Sequence, residues 1–317
     1  MISKRGSGFF PSVTSMTYHV PVLAEAVRSL AAGHTRGVDC TAGGGGHSAV
    51  LVDAGLEVLA IDRDPEAIAA LGARFAAGGV TIRRGRFGDP AVLAEIAAFR
   101  PDFAVFDLGV SSHQIDSDDR GFSFRPGVPL DMRMGMDVGE TAADLLGGAD
   151  EAELTRVFRE YGDERRGARL AREIVRRRAR GPMTTSDDLV KAVRAVLGPR
   201  SGPADFARLF QAVRIAINEE LVDLGRALPA VRDALVPGGT MAALTYHSGE
   251  DRLVKHAFRE WAAACVCPPR QPICTCRGRP LGALEPKKPI RPTDAEVARN
   301  PRARSARLRA FRTRDAA

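Results

Sequence analysis

Three stretches of this chain carry residue types that do chemistry. The first is Asp39-Cys-Thr-Ala-Gly-Gly-Gly-Gly-His47, with Asp62 closing the next apolar run, Val58-Leu-Ala-Ile. Consecutive glycines permit positive-φ turns and let a ligand approach the backbone closely. An acid at the following strand's end can accept hydrogen bonds from ribose hydroxyls. The second stretch, Asp107-Leu-Gly-Val-Ser-Ser-His-Gln114, gathers a carboxylate, two hydroxyls and an amide. The third, Tyr246-His-Ser248, offers His247 as a proton acceptor.

The first stretch predicts a nucleotide-shaped hole without saying which nucleotide fills it. Gly44-x-Gly46-x-x-Ala49 fits the dinucleotide pattern G-x-G-x-x-G/A, so NAD and S-adenosylmethionine (SAM) both remain open. The second stretch favours SAM. Polar groups at that strand end could hold an amino-acid moiety and accept N–H bonds from a substrate amine. A cytosine or adenine amino group is a poor nucleophile because its lone pair is delocalised into the ring. An acceptor for its N–H bonds raises the electron density on nitrogen as a methyl group arrives.

Short strands alternating with helices must position these residues. Strands are expected at Gly37–Cys40, Glu57–Ile61, Val80–Arg83 and Asp102–Phe106, with helices at Val22–Ala31, His47–Ala54, Pro65–Phe75 and Ala91–Phe99. This repetition predicts a doubly wound α/β sheet. The rhythm then breaks. Asp116–Val138 reads as a structured loop, and helices follow at Asp150–Tyr161, Glu164–Arg180 and Ser186–Leu197. Residues 116–207 therefore read as an inserted all-helical, substrate-recognition domain. One long helix, Phe210–Leu235, leads back to a fifth strand at Thr240–Leu244, then a helix at Glu250–Ala264, with Ala306–Phe311 as a last strand. Residues 18–115 and 208–317 together form the ligand-binding domain. Residues 1–17 lack the apolar core of a signal peptide and read as a disordered extension of a cytoplasmic protein. No apolar run approaches the roughly 20 residues of a membrane span.

The charge is unevenly placed. The net formal charge is +7, and Arg277–Ala317 holds twelve basic against four acidic residues, leaving the remainder near neutral. This segment reads as a polyanion contact, the footprint of nucleic-acid binding. Arg165, Arg169, Arg172, Arg176 and Arg180 recur at helical spacing and could track phosphates, although a solvated face explains them equally well. Four of the five cysteines form Cys265-x-Cys267 and Cys274-x-Cys276. In a reducing compartment this spacing suggests metal before disulfides. The usual zinc knuckle is C-x2-C, however, so reduced structural thiols are favoured and no metal is assigned.

Eight motifs in order then carry a resemblance. They are Gly-Gly-His-Ser (45–48), Ala-Ile-Asp-Arg-Asp-Pro (60–65), Asp-Leu-Gly-Val-Ser-Ser (107–112), Arg-Gly-Phe-Ser-Phe (120–124), Leu-Asp-Met-Arg-Met (130–134), Phe-Gln-Ala-Val-Arg-Ile (210–215), His-Ser-x-Glu-Asp-Arg (247–252) and Asn-Pro-Arg-Ala-Arg-Ser (300–305). From Tyr18 to Arg312 the chain resembles the bacterial RsmH/MraW family of small-subunit rRNA cytosine-N4 methyltransferases. The resemblance implies a class I SAM-dependent methyltransferase fold, with 16S rRNA of the small ribosomal subunit as partner and a decoding-centre cytidine as target. Carried over by position, the cofactor contacts are Gly45, Gly46, His47, Asp62, Phe87, Asp107 and Gln114. The residues themselves make Asp107 and His247 the catalytic candidates, although a histidine beside a strand end is more often structural. Cys40-Thr-Ala-Gly-Gly replaces a more usual Gly-Thr-x-Gly-x opening. His113 stands where proline is common, which implies a less rigid loop. Tyr246-His-Ser-Gly249 replaces Phe-His-Ser-Leu, removing an aliphatic contact and adding a hydroxyl. An NAD-linked oxidoreductase and an RNA-binding assembly factor without turnover are the rival readings. Oligomeric state stays open.

Overall fold

The computed structural model describes residues 21–135, 139–268, 270–271 and 273–315. The expected N-terminal extension lies outside them. The strands are β1 (Arg36–Asp39), β2 (Glu57–Asp62), β3 (Val80–Arg84), β4 (Phe103–Asp107), β5 (Thr240–Thr245), β6 (Gly282–Leu284) and β7 (Arg307–Thr313). The helices around the first half of the sheet are α1 (Ala24–Ala31), α2 (Gly46–Asp53), α3 (Pro65–Arg74) and α4 (Pro90–Phe99). Those that follow β4 are α5 (Ser112–Asp116), α6 (Ala142–Gly148), α7 (Glu151–Arg156), α8 (Gly167–Arg178), α9 (Ser186–Leu197), α10 (Pro203–Asn218) and α11 (Glu220–Ala234). After β5 come α12 (Ser248–Ala262) and α13 (Asp294–Arg299). No helix among the described residues is long and apolar enough to cross a membrane.

The strands lie in the order β3-β2-β1-β4-β5-β7-β6. β1 to β5 run parallel, whereas β7 enters antiparallel between β5 and β6. The last strand therefore departs from the all-parallel pattern that β-α repetition suggests. Strand order reverses between β1 and β4, and a crevice opens there at the strands' carboxyl ends. Alternation along β4 feeds both faces of the sheet. Phe103 and Val105 pack with Val27 and Leu51 on one side, while Ala104 and Phe106 pack with Leu228 and Phe258 on the other.

Between β4 and β5 a separate apolar cluster forms around Phe158, Leu170, Ile174, Leu189 and Val193. Phe206, Leu209, Phe210, Val213 and Ile217 of α10 belong to this cluster. The expected boundary at 207/208 would cut α10, so packing moves the end of the helical unit to Asn218. The single helix expected over Phe210–Leu235 is in fact two. Glu219 breaks it with a left-handed backbone, φ 53°. No glycine or proline marks the break; three polar ties do. The Glu219 carboxylate meets Arg86 at 2.7 Å, Glu220 meets Arg214, and the Asn218 amide bonds Met132 O and the Met134 N–H. Together these outweigh a local strain of about 1–3 kcal/mol.

Candidate active site

The crevice at the strand reversal holds a cavity of about 740 Å³, inside the ~300–1,000 Å³ range usual for small-ligand sites. The glycine turn forms one wall. Gly43 sits at φ 52° and donates its N–H to Asp62 Oδ2 at 2.8 Å; Asp64 N–H donates to Asp62 Oδ1, also at 2.8 Å. Burial raises the Asp62 carboxyl to about 6, against the pull of these two N–H groups. Gly46 and His47 open α2 against the cavity. Gly45 does not line it. Its φ is 77°, and a Cβ there would stand 2.8 Å from Phe75 Cε2 and 3.0 Å from Leu71 Cδ2. Gly45, a cofactor contact by resemblance, is placed where the turn packs against α3.

Asp107 ends β4 at the centre of the crevice. Its backbone N–H donates to Thr41 Oγ1 at 2.6 Å, and its Oδ1 accepts from the Tyr246 hydroxyl at 2.7 Å. Its Oδ2 lies 3.3 Å from His47 Nε2, and the side chain keeps 26% of its surface exposed. Burial works against charge on His47, but the Asp107 and Asp39 carboxylates outweigh it and raise its pKa. Asp39 is fully buried, bonded by the Ser48 hydroxyl at 2.7 Å, and burial raises its pKa too. Burial pushes the Tyr246 phenol well above its ordinary value, so it remains a donor at neutral pH.

Phe87 lines the cavity and meets Phe106 edge-on, with ring centroids 5.6 Å apart. Behind it, Asp223 of α11 holds Arg86 Nε through Oδ2 at 2.8 Å. Its Oδ1 is buried with no hydrogen-bond partner among the described residues, and the Arg226 guanidinium stands 3.9 Å away. That oxygen is free to accept from a ligand amino group.

Gln114 lines the cavity, but its amide is committed elsewhere. Oε1 accepts from Ser111 N–H at 3.0 Å, and Nε2 donates to Asp64 Oδ2 at 2.8 Å. Ser111 and Gln114 form a reciprocal cap on α5, so the segment after Asp107 is helical rather than loose. His113, one of the departures from the family pattern, ties α5 to α3 through Glu66 at 3.0 Å.

His247, the expected proton acceptor, stands at the start of a helix. Its Nδ1 accepts from the N–H groups of Gly249 (3.2 Å) and Glu250 (3.4 Å), capping α12, while Nε2 lies 2.9 Å from the buried Glu250 Oε1. A ring nitrogen that accepts from a helix N-terminus holds no spare lone pair for a substrate proton. His247 lines the cavity and, in this geometry, caps α12.

Several residues in and around the cavity were given no role by the sequence reading. Arg120 bonds Asp64 Oδ2 (2.7 Å), Glu66 (2.9 Å) and the carbonyls of Arg133 and Met134, tying the helical unit to α3. Arg214 and Glu220 form a largely buried two-pronged pair at 2.8 and 2.9 Å beside the cavity. Asn300, Arg302 and Ser305 reach the rim from the C-terminal segment. That segment is no frayed tail: Arg302 pairs with Asp116 at 2.7 Å, and Arg307 and Arg309 pair with Asp251. The quoted motifs contain most of these residues, but only the fold shows what each side chain touches. In the arginine stripe, Arg172 pairs with Glu151 and Arg176 with Glu173; Arg165 and Arg180 fall beyond the ends of α8.

The strand order, the glycine turn and the acids at the tips of β2 and β4 define the class I SAM-dependent methyltransferase fold. Residues 16–314 match the model of the MraW methylase family. The chain is 56% identical to the ribosomal RNA small subunit methyltransferase H of Gemmatimonas aurantiaca, covering 96% of this chain and 98% of that protein. It is 44% identical to the protein of the same name in Heliobacterium modesticaldum, covering 92% and 97%. The chain belongs to the MraW methylase family. Among solved structures, an rRNA methylase from Streptococcus thermophilus overlays at a TM-score of 0.40 and 10% identity, over 92% of this chain and 94% of that one; so distant an overlay adds nothing to the assignment.

Proposed function

We propose that the protein transfers a methyl group from SAM to the exocyclic N4 amine of a cytidine in 16S rRNA, at the decoding centre of the small ribosomal subunit. The observation that carries the reading is the placement of Asp107. It is a partly exposed carboxylate fixed at the switch point by Tyr246 and flanked by His47, inside a cavity walled by a glycine turn.

The residues present fit SAM. The Gly43–Gly46 turn admits close backbone approach, Asp62 faces the ribose, and Phe87 with the unpartnered Asp223 Oδ1 offers an apolar wall and an acceptor for an adenine amino group. Bound there, SAM supplies a sulfonium-activated methyl group. Asp107 retains acceptor capacity beyond the Tyr246 bond, enough for an ammonium at the methionine end and an N–H of the incoming amine. Accepting that N–H raises electron density on the nitrogen, and holding donor and amine in line supplies most of the remaining acceleration. With His247 occupied as a cap, the proton released after transfer goes to water.

Substrate recognition falls to the helical unit that begins at 116 and to the C-terminal basic segment. Both reach the cavity rim, through Asp116 and Arg302, where phosphate contacts would give affinity and the pocket would select the base. A base reached this way must stand outside its stack. An rRNA substrate places the reaction in the cytoplasm. The test is labelled-methyl transfer to small subunits followed by mass mapping. A methyl on cytidine N4 supports the reading, and NAD binding without SAM binding would overturn it.

A further inference from the structure

We propose that Cys265, Cys267, Cys274 and Cys276 form a structural zinc site that staples the excursion between α12 and β6. The four sulfurs lie within 4.8 Å of one another. Cys265–Cys274, Cys267–Cys274 and Cys265–Cys276 are each 3.8 Å apart, and Cys274–Cys276 is 3.5 Å. A tetrahedron with Zn–S bonds of about 2.3 Å has sulfur–sulfur edges of about 3.8 Å. A disulfide would need about 2.05 Å, and all four thiols are free.

Simple burial of reduced thiols does not account for the gathering. Cys265 and Cys274 are exposed, and the same loop leaves Ile273 76% exposed and Val266 39% exposed. A segment that buries so little apolar surface needs another constraint to hold four side chains together. The backbone is also arranged as it is around bound thiolates. Val266 N–H donates to Cys276 Sγ at 3.3 Å. Metal binding takes the protons from the four sulfurs. The loop is tied down at both ends. Arg277 donates to the carbonyls of Glu260 and Ala263 at the end of α12, and Leu281 N–H bonds Trp261 O at 2.8 Å. The C-x-C spacing that counted against zinc in the sequence is accommodated because the two pairs face each other across the loop.

The test is metal content of the full chain, purified under reducing conditions after growth with added zinc. The expected result is one zinc per chain with an X-ray absorption shell of four sulfurs at about 2.3 Å, and thiolate-to-metal absorption bands when Co(II) replaces it. Cys265→Ser with Cys276→Ser should lose the metal, and Cys40→Ser should keep it. If the paired variant does not fold, the wild-type metal count still decides. A wild-type chain that neither retains zinc nor takes up Zn(II) or Co(II), with four reactive thiols or with two disulfides, overturns the proposal.

Discussion

The Tyr246 hydroxyl donates to Asp107 Oδ1 at 2.7 Å, joining the ends of β5 and β4 across the crevice. This hydroxyl is one of the places where the chain departs from its family's more usual phenylalanine. It lands on the acid that the proposed chemistry depends on. Hydrogen bonds to charged groups contribute about 1.5–3 kcal/mol, and about 1.4 kcal/mol is tenfold in rate. Tyr246→Phe should therefore lower kcat about tenfold with little change in KM for SAM, measured by labelled-methyl transfer at saturating subunits. An unchanged kcat would mean that the hydroxyl only packs.

The capping role of His247 separates cleanly from a catalytic one. Losing the cap should cost about 1 kcal/mol, seen as a drop of a few degrees in Tm for His247→Ala, and Asn, itself a good cap, should restore it. The pH–rate profile should be the same in all three proteins. If His247→Ala instead removed the acidic limb of that profile, the ring would be acting as a base.

Asp62 sets a pH dependence for cofactor binding. Burial raises its carboxyl to about 6 in the free protein, and hydrogen bonds from ribose hydroxyls favour the ionised form and lower that value in the complex. The complex then holds fewer protons than the free protein. Affinity for SAM should be constant above about pH 6 and fall, by up to tenfold per unit, below it. The sign for folding is opposite. An acid whose folded pKa is raised opposes the ligand-free fold once ionised, so its share of stability declines from about pH 4 to about pH 6 and stays low above. Calorimetric titration with SAM between about pH 5 and about pH 8 checks this. A flat affinity across that range would remove Asp62 from the ribose.

Gly45 should matter to the fold rather than to the ligand. Alanine there must adopt φ 77° and place its Cβ 2.8 Å from Phe75 Cε2. Strain of about 1–3 kcal/mol follows, before any cost of moving α3. Gly45→Ala should lower Tm by several degrees, with the folded fraction still binding SAM. Wild-type stability combined with lost binding would return Gly45 to the pocket.

How much of this was legible in the sequence depended on how local each cause is. The first four strands and their helices follow from periodicity and, for α3, from Pro65 in its first turn, all short-range signals. The pocket acids Asp62 and Asp107 were legible because they end apolar runs. What the sequence hid was set by residues far apart. The break at Glu219 depends on Arg86 and on Met132–Met134, and the amide of Gln114 is drawn away by Asp64. Three-residue β6 is too short to give a pattern and exists only because β7 offers an edge. The four cysteines were visible as pairs, but only the fold brings the pairs face to face.

The central claim is tested most directly by incubating the protein and isotopically labelled SAM with small subunits from a strain lacking this gene, then mapping the methyl by mass spectrometry. The account predicts one methyl per subunit, on the N4 amine of a single decoding-centre cytidine, and none with Asp107→Ala of unchanged Tm. Transfer by Asp107→Ala at the wild-type rate, or a methyl on a ring carbon or a ribose, would contradict it.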